Sequence, residues 1–156
     1  MKNKGIYNKG VIKRTPNQVK KHVTQMSKEE IVFLEKAVHS IVSKVHFSQH
    51  FKTNRVACSE SYIKELLSKD LSEMIIEYNE TPSKNKVDKR VLIRDKDLQE
   101  VLFLSETTEE FTETANLCIV VSILTGSVIT AYWNLSSDNH KTMDWRRYNS
   151  KLEIIK

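Results

Sequence analysis

The sequence predicts an α+β domain, with N-terminal helices packed on one face of a mostly antiparallel four- to five-stranded sheet. Three observations predict it. Residues 27–69 carry apolar side chains at helical spacing behind serine caps. From Glu73 onward the period switches to two. Residues 117–134 then read as two strands joined at Thr125-Gly126. A chain of 156 residues suits one domain with a full core and is short for two.

Taken in order, residues 1–26 read as a flexible basic arm with Gly5, Gly10, Pro16 and no sustained apolar period. Residues 27–156 make up the single domain. Ser27 and Glu30 form an S-x-x-E capping box, the serine accepting from the N3 amide while the glutamate reaches back. Ile31, Leu34, Val38, Ile41, Val42 and Val45 continue as an apolar stripe, which predicts a helix over 28–44. A shorter helix is expected over 47–54. A third, over 59–69, starts at Ser59 and points Tyr62, Ile63, Leu66 and Leu67 inward. Met74, Ile76 and Tyr78 alternate with Glu73, Glu77 and Asn79, so 73–79 reads as a strand. Residues 81–88, with Pro82 and Asn85, are expected to turn, and 89–95 to return as a second strand. The acidic stretch 96–116 is expected to be a partly helical insertion. Residues 117–124 are nearly all apolar, the signature of a central strand buried on both faces, and 128–134 follow as its partner. Residues 152–155 are expected to add a short edge strand.

The net charge of +5 is unevenly spread. Residues 1–28 hold eight basic side chains and no acid, 29–95 hold eleven of each sign, and 96–116 hold one basic against six acidic. The basic excess therefore belongs to the arm, where lysines that neutralise phosphates would release counterions. Of three glycines only Gly126 lies beyond residue 10, which excludes the glycine-rich loops that cradle nucleotide phosphates. Cys58 and Cys118 make neither a disulfide framework nor a C-x-x-C knuckle and are expected as buried free thiols. No membrane span and no secretion signal are expected, which points to the cytoplasm.

Alternation sorts the chemistry onto faces. In 128–134, Thr130, Tyr132 and Asn134 share one face together with Val128, opposite Ile129, Ala131 and Trp133. In 89–95, Arg90 and Arg94 share a face. If both stripes face the same side, Arg94 lies among a hydroxyl, a phenol and an amide, a surface suited to a phosphate; the plain alternative is an ordinary solvated sheet face. His46 and His50 stand four apart, a spacing that can hold zinc on a helix, but no third ligand and no H-E-x-x-H glutamate accompany them. No metal and no cofactor are expected. A metal-free route needs a base and an acid, which histidine supplies, and a cation for the charge on phosphorus, which arginine supplies.

The runs VHFSQHFKTNRVACSESYIKELL, EMIIEYN, KRVLIRD, LCIVVSILTGSVITAYWN and DNHKTMDWRRY, in that order, resemble the barnase, EndoU, colicin and RelE superfamily of small ribonuclease toxins. The nearest likeness is to colicin-type and contact-dependent-inhibition toxin domains, over about residues 44–150. The resemblance implies a metal-independent endoribonuclease cleaving tRNA or another structured RNA. It implies His50, Arg94, Thr130, Tyr132 and His140 as catalytic and Arg55, Asn134 and Lys141 as substrate-binding, with Asp138, Asp144 and Tyr148 in the closing motif. His46 stands as the alternative to His50, and Asp144 as a support of the last turn. RNA would be one partner and a cognate immunity or antitoxin protein another. The rival expectation is a non-catalytic interaction protein on the same fold, encoded by a phage, contacting protein or RNA through its arm and its acidic insertion.

Overall fold

The computed structural model describes residues 18–49, 51, 58–104, 107, 109–138 and 143–155. The fold is α+β, as predicted, with a mostly antiparallel sheet. Its strands are β1 (Lys20–His22), β2 (His46–Phe47), β3 (Ile75–Ser83), β4 (Lys86–Arg94), β5 (Gln99–Leu104), β6 (Glu110–Ser122) and β7 (Ser127–Leu135). They lie in the order β1-β3-β4-β6-β7-β2, β5 pairing with β6 beyond the end of β4. Only the short β2 runs parallel to its neighbour, β7. The described helices are α1 (Lys28–Ile41) and α2 (Glu60–Leu67).

Both helices form where the caps and stripes predict them. Ser27 Oγ accepts from Glu30 N at 3.1 Å, and Glu30 Oε1 accepts from Ser27 N at 2.9 Å. α1 then buries Leu34, Val38 and Ile41, and a single 3₁₀ turn, Val42–Lys44, completes the predicted 28–44. Ser59 Oγ caps α2 through Tyr62 N, and Ile63, Leu66 and Leu67 are buried. These side chains meet one face of the sheet. Tyr78, Val91, Val121 and Val128 lie in one cross-strand row, and Ile93, Ile119 and Ala131 in the next, all within one apolar core. Removing these groups from water is the main favourable contribution to the fold.

Seven strands replace the four or five expected, and each extra one has a local cause. Residues 20–22, assigned to the basic arm, form β1 against β3 because Lys21 turns inward and pairs with Glu30 rather than facing water. The stretch 96–116 is not helical. Gln99–Leu104 is an apolar strand-forming run, and residues 110–114 intersperse Phe111, Thr112 and Thr114, all good strand formers, with two acids, so the two make an antiparallel ribbon. The 81–88 turn shrinks to Lys84-Asn85, with Lys84 at φ 55°, and strand pairing continues out to Ser83 and Lys86. Pro82 is accommodated because Glu80 N donates to Val19 O, so the nitrogen of Pro82 points to the same edge, past β1. Residues 152–155 form no strand. Instead Leu152 and Ile154 pack into the core beside α1. The helix expected over 47–54 does not start at 47, which is in β2; Gln49 and Phe51 are helical, and residues 50 and 52–54 lie outside the described ones.

Two bulges set which side chains face the core. The register slips between Ile75 and Glu77, so Ile75 and Tyr78 both face the helices while Glu77 faces away. It slips again at Val120/Val121, where Ile129 is the extra residue. Val128 therefore lies on the core face, not with Thr130, Tyr132 and Asn134 as simple alternation had it.

Gly126 closes the β6–β7 hairpin at φ +80°, and its carbonyl accepts from His46 N at 3.0 Å, which seats β2. A Cβ there would stand 2.9 Å from Lys44 O. Gly126→Ala is expected to cost about 1–3 kcal/mol from the left-handed backbone alone, read by urea denaturation.

Lys21, Glu30 and the C-terminal segment meet inside the protein. Lys21 Nζ donates to both carboxylate oxygens of Glu30 at 3.0 Å and to Leu152 O at 2.7 Å, and Ile154 N donates to Glu30 Oε2 at 3.1 Å. Burial by itself would push the Glu30 carboxyl up, but the amides of Ser27 and Ile154 and the Lys21 ammonium together hold it below its ordinary value of 4.5. The unfolded chain thus takes up this proton more readily than the folded one. The stabilisation is complete above about pH 4.5 and fades as the pH falls through the lower folded value. Glu30→Gln, which leaves a buried ammonium without its counter-charge, is expected to cost about 3 kcal/mol at neutral pH. It should also flatten the fall of stability in acid, measured by denaturant titrations down to pH 2.

Candidate functional site

The face of the sheet away from the helices carries the polar chemistry. One cross-strand row runs His22, Glu77, Leu92, Val120, Thr130 from β1 to β7. The next runs Arg94, Cys118, Tyr132, and a third Asn116, Asn134. The two stripes identified in β4 and β7 therefore share a side of the sheet. Strands are about 4.8 Å apart, so Arg94 and Tyr132 are separated by about 10 Å across β6, and Thr130 lies about 7 Å along β7 from Tyr132.

Arg94 lines a cleft of about 540 Å³ together with Glu73, Asp95, Lys96, Asn116 and Asp138. Asp95 is buried and fully engaged: it accepts from Tyr62 Oη at 2.7 Å and from Asp97 N at 3.1 Å. Asn116 Nδ2 donates to Asp95 O at 2.7 Å. These two hold the cleft's shape, leaving Arg94, Lys96, Glu73 and Asp138 as its charged lining. Arg90, by contrast, is tied to Asp88 at 2.8 Å, and Asp88 in turn accepts from Ser122 Oγ at 2.6 Å.

Tyr132, 36% exposed, lies beside Cys118. Burial, then the Cys118 sulfur, push its phenol above the usual range. Burial likewise pushes the Cys118 thiol up to about 11, with the hydrogen bond to Tyr132 and the charge of Arg94 opposing. Asn134 is buried, and its amide donates to Leu135 O at 3.3 Å and Asp138 O at 3.4 Å, so it shapes the turn that presents Asp138. His50, Arg55, His140 and Lys141 lie outside the described residues. His46 is described: it is exposed and lies in the strand β2, so the helical spacing that would pair it with a residue four positions on is not formed there. Among the described residues no group of three His, Cys, Asp or Glu is placed to hold a metal ion.

Sequence reasoning missed a second cluster at the β1 end of this face. Tyr148 Oη donates to Glu77 Oε2 at 2.7 Å, and the His22 ring meets Tyr148 edge-on at 5.6 Å. Lys20 Nζ lies 5.1 Å from the centre of the same ring. His22 Nδ1 accepts from Thr24 N at 3.2 Å, which assigns the ring proton of the neutral form to Nε2. Alternation already put Glu77 on the polar face; its partner 71 positions away in the chain carried no local signal. Asp144 caps the 3₁₀ turn Trp145–Arg147, accepting from Arg146 N at 3.2 Å, and so sets where Tyr148 falls.

Compared with protein-family models, curated proteins and solved structures, the chain finds no match. No helix among the described residues is long and apolar enough to cross a membrane.

The burial of Cys118 has a direct chemical consequence. At pH 8 its thiol should resist iodoacetamide until the sheet opens, while the half-buried Cys58 is modified first, followed by peptide mass spectrometry.

Proposed function

We propose that the protein is a metal-independent endoribonuclease of the toxin type, acting in a bacterial cytoplasm on tRNA or another structured RNA. One observation carries this reading: Arg94, Thr130 and Tyr132 share the face of the sheet turned away from the helices, with Arg94 lining the cleft. The order of sequence motifs resembling the ribonuclease toxins supports it.

In this mechanism Arg94 holds the scissile phosphate, and Thr130 and Tyr132 position it by donating hydrogen bonds. His50 takes the proton from the 2′-hydroxyl, whose oxygen attacks phosphorus. The bond to the 5′-oxygen breaks, and His140 protonates that leaving oxygen. Arg94 offsets the charge that builds on the phosphorus oxygens. The products are a 2′,3′-cyclic phosphate and a free 5′-hydroxyl. Arg55 and Lys141 contact flanking phosphates, whereas Asn134, expected from the sequence to bind substrate, is buried and instead holds the turn at Asp138, which lines the cleft. The arm supplies recruitment to the polyanion.

The experiment is incubation of the purified protein with total tRNA in EDTA. Cleavage leaving a 2′,3′-cyclic phosphate is expected, with His50→Ala and Arg94→Ala each slowing it by about 100-fold or more. An absence of cleavage by the native chain, or unchanged cleavage by the His50→Ala, Arg94→Ala, His140→Ala triple variant, overturns the assignment.

A further inference from the structure

The ribbon of β5 and β6 has an outer edge, that of β5, to which no described strand is joined. At Ala115, β6 pairs with β5 on one side and β7 on the other, which puts β5 on the same side of β6 as β4. Among the described residues no strand pairs with the outer edge of β5. A six-residue edge exposes a row of unpaired N–H and C=O groups, and natural edges are usually blunted by lysine, proline or a bulge. Gln99–Leu104 reads QEVLFL, with no lysine, no proline and an unbroken register against β6. Leu102 is 58% exposed.

Charge selects what such an edge can accept. Residues 96–116 contain six acidic side chains and one basic, and Glu100, Glu110 and Glu113 are all exposed on the ribbon. A second copy joined edge to edge would bring two such acidic ribbons together, which like-charge repulsion opposes. A strand carrying lysine or arginine at alternate positions would meet complementary charge on the same edge. Main-chain hydrogen bonds would give it affinity, and the alternate side chains would give it specificity.

We propose that the outer edge of β5 is a docking site for an extended basic segment of a partner protein, which adds to the sheet as a further strand. Its basic side chains lie on the face that Glu100 shares with Leu102 and Glu110, their aliphatic stems covering Leu102, and its apolar ones lie on the opposite face beside Val101. This does not depend on the nuclease assignment, because Gln99–Leu104 does not line the cleft and holds none of the residues given a role in cleavage.

The test uses the full chain and a synthetic eight-residue peptide alternating Lys and Val, with a Glu-Val peptide of the same length beside it. The Lys-Val peptide is expected to bind saturably, more weakly as salt rises, and to slow amide exchange in 99–104, while the Glu-Val peptide does neither. Glu100→Lys combined with Glu110→Lys, both exposed and on one face of the ribbon, should weaken binding by about tenfold. Arg94→Ala should bind the Lys-Val peptide as the native chain does, which separates failure of this site from failure of the catalytic one. Equal binding of the two peptides, binding without protection of 99–104, or a dimer that protects the same amides would each overturn the proposal.

Discussion

The carboxylate of Glu30 joins three parts of the chain that are otherwise far apart. It accepts from the start of its own helix, from Lys21 on β1, and from the amide of Ile154 near the end of the chain. An ion pair withdrawn from water stabilises a fold only when its remaining hydrogen-bonding capacity is met. Here both oxygens accept more than one hydrogen bond, and the ammonium has a further acceptor in Leu152 O. Much of the outer face follows from that junction. It fixes β1 against β3, which places His22 beside Glu77. It also anchors the chain after Tyr148, whose hydroxyl then reaches Glu77 from the other side of the sheet edge.

The sheet accordingly has two faces with different tasks. The face toward α1 and α2 is a continuous apolar core, while the other carries a buried thiol, two phenols, a guanidinium and a carboxylate in adjacent rows. Two bulges keep these sets apart. Without the extra residue at Ile129, Val128 would fall on the polar face and the row Tyr78, Val91, Val121 would lack its last member. A one-residue slip in a strand exchanges its faces, so each bulge is a requirement of the pattern.

Much of this was legible in the sequence wherever one local signal decided the outcome. Ser27 with Glu30, and Ser59, mark the helix starts, and the stripes Leu34, Val38, Ile41 and Ile63, Leu66, Leu67 name the buried faces. The shared side of Arg94, Thr130 and Tyr132 follows from alternation once the strands are paired. What stayed hidden depended on distant partners. Lys21 reads as one more charge in a basic tail until Glu30 is placed beside it. The ribbon was obscured because its acids suggested a solvated insertion, although Gln99–Leu104 has the composition of a strand. Cys118 was read correctly as a buried thiol, but its position between Arg94 and Tyr132 requires knowing that β6 separates β4 from β7.

The charge distribution now bears on how an RNA would be held on the nuclease reading. Arg94 and Lys96 in the cleft are matched by Glu73 and Asp138, with buried Asp95 behind them. A lining so balanced has little long-range pull on a polyanion, and what field it has falls off within about 8 Å at physiological salt. On that reading Arg94 would act at contact range, orienting a phosphate that has already arrived. Capture would then fall to the basic residues of 1–28 other than Lys20 and Lys21, since Lys21 is committed to Glu30 and Lys20 lies over the ring of Tyr148. The acidic ribbon, at the opposite end of β6 from the row that β1 extends, repels the same polyanion and so favours approach from the β1 side. On the nuclease reading, recruitment, orientation and exclusion would be carried by three different segments, and the total of +5 describes none of them.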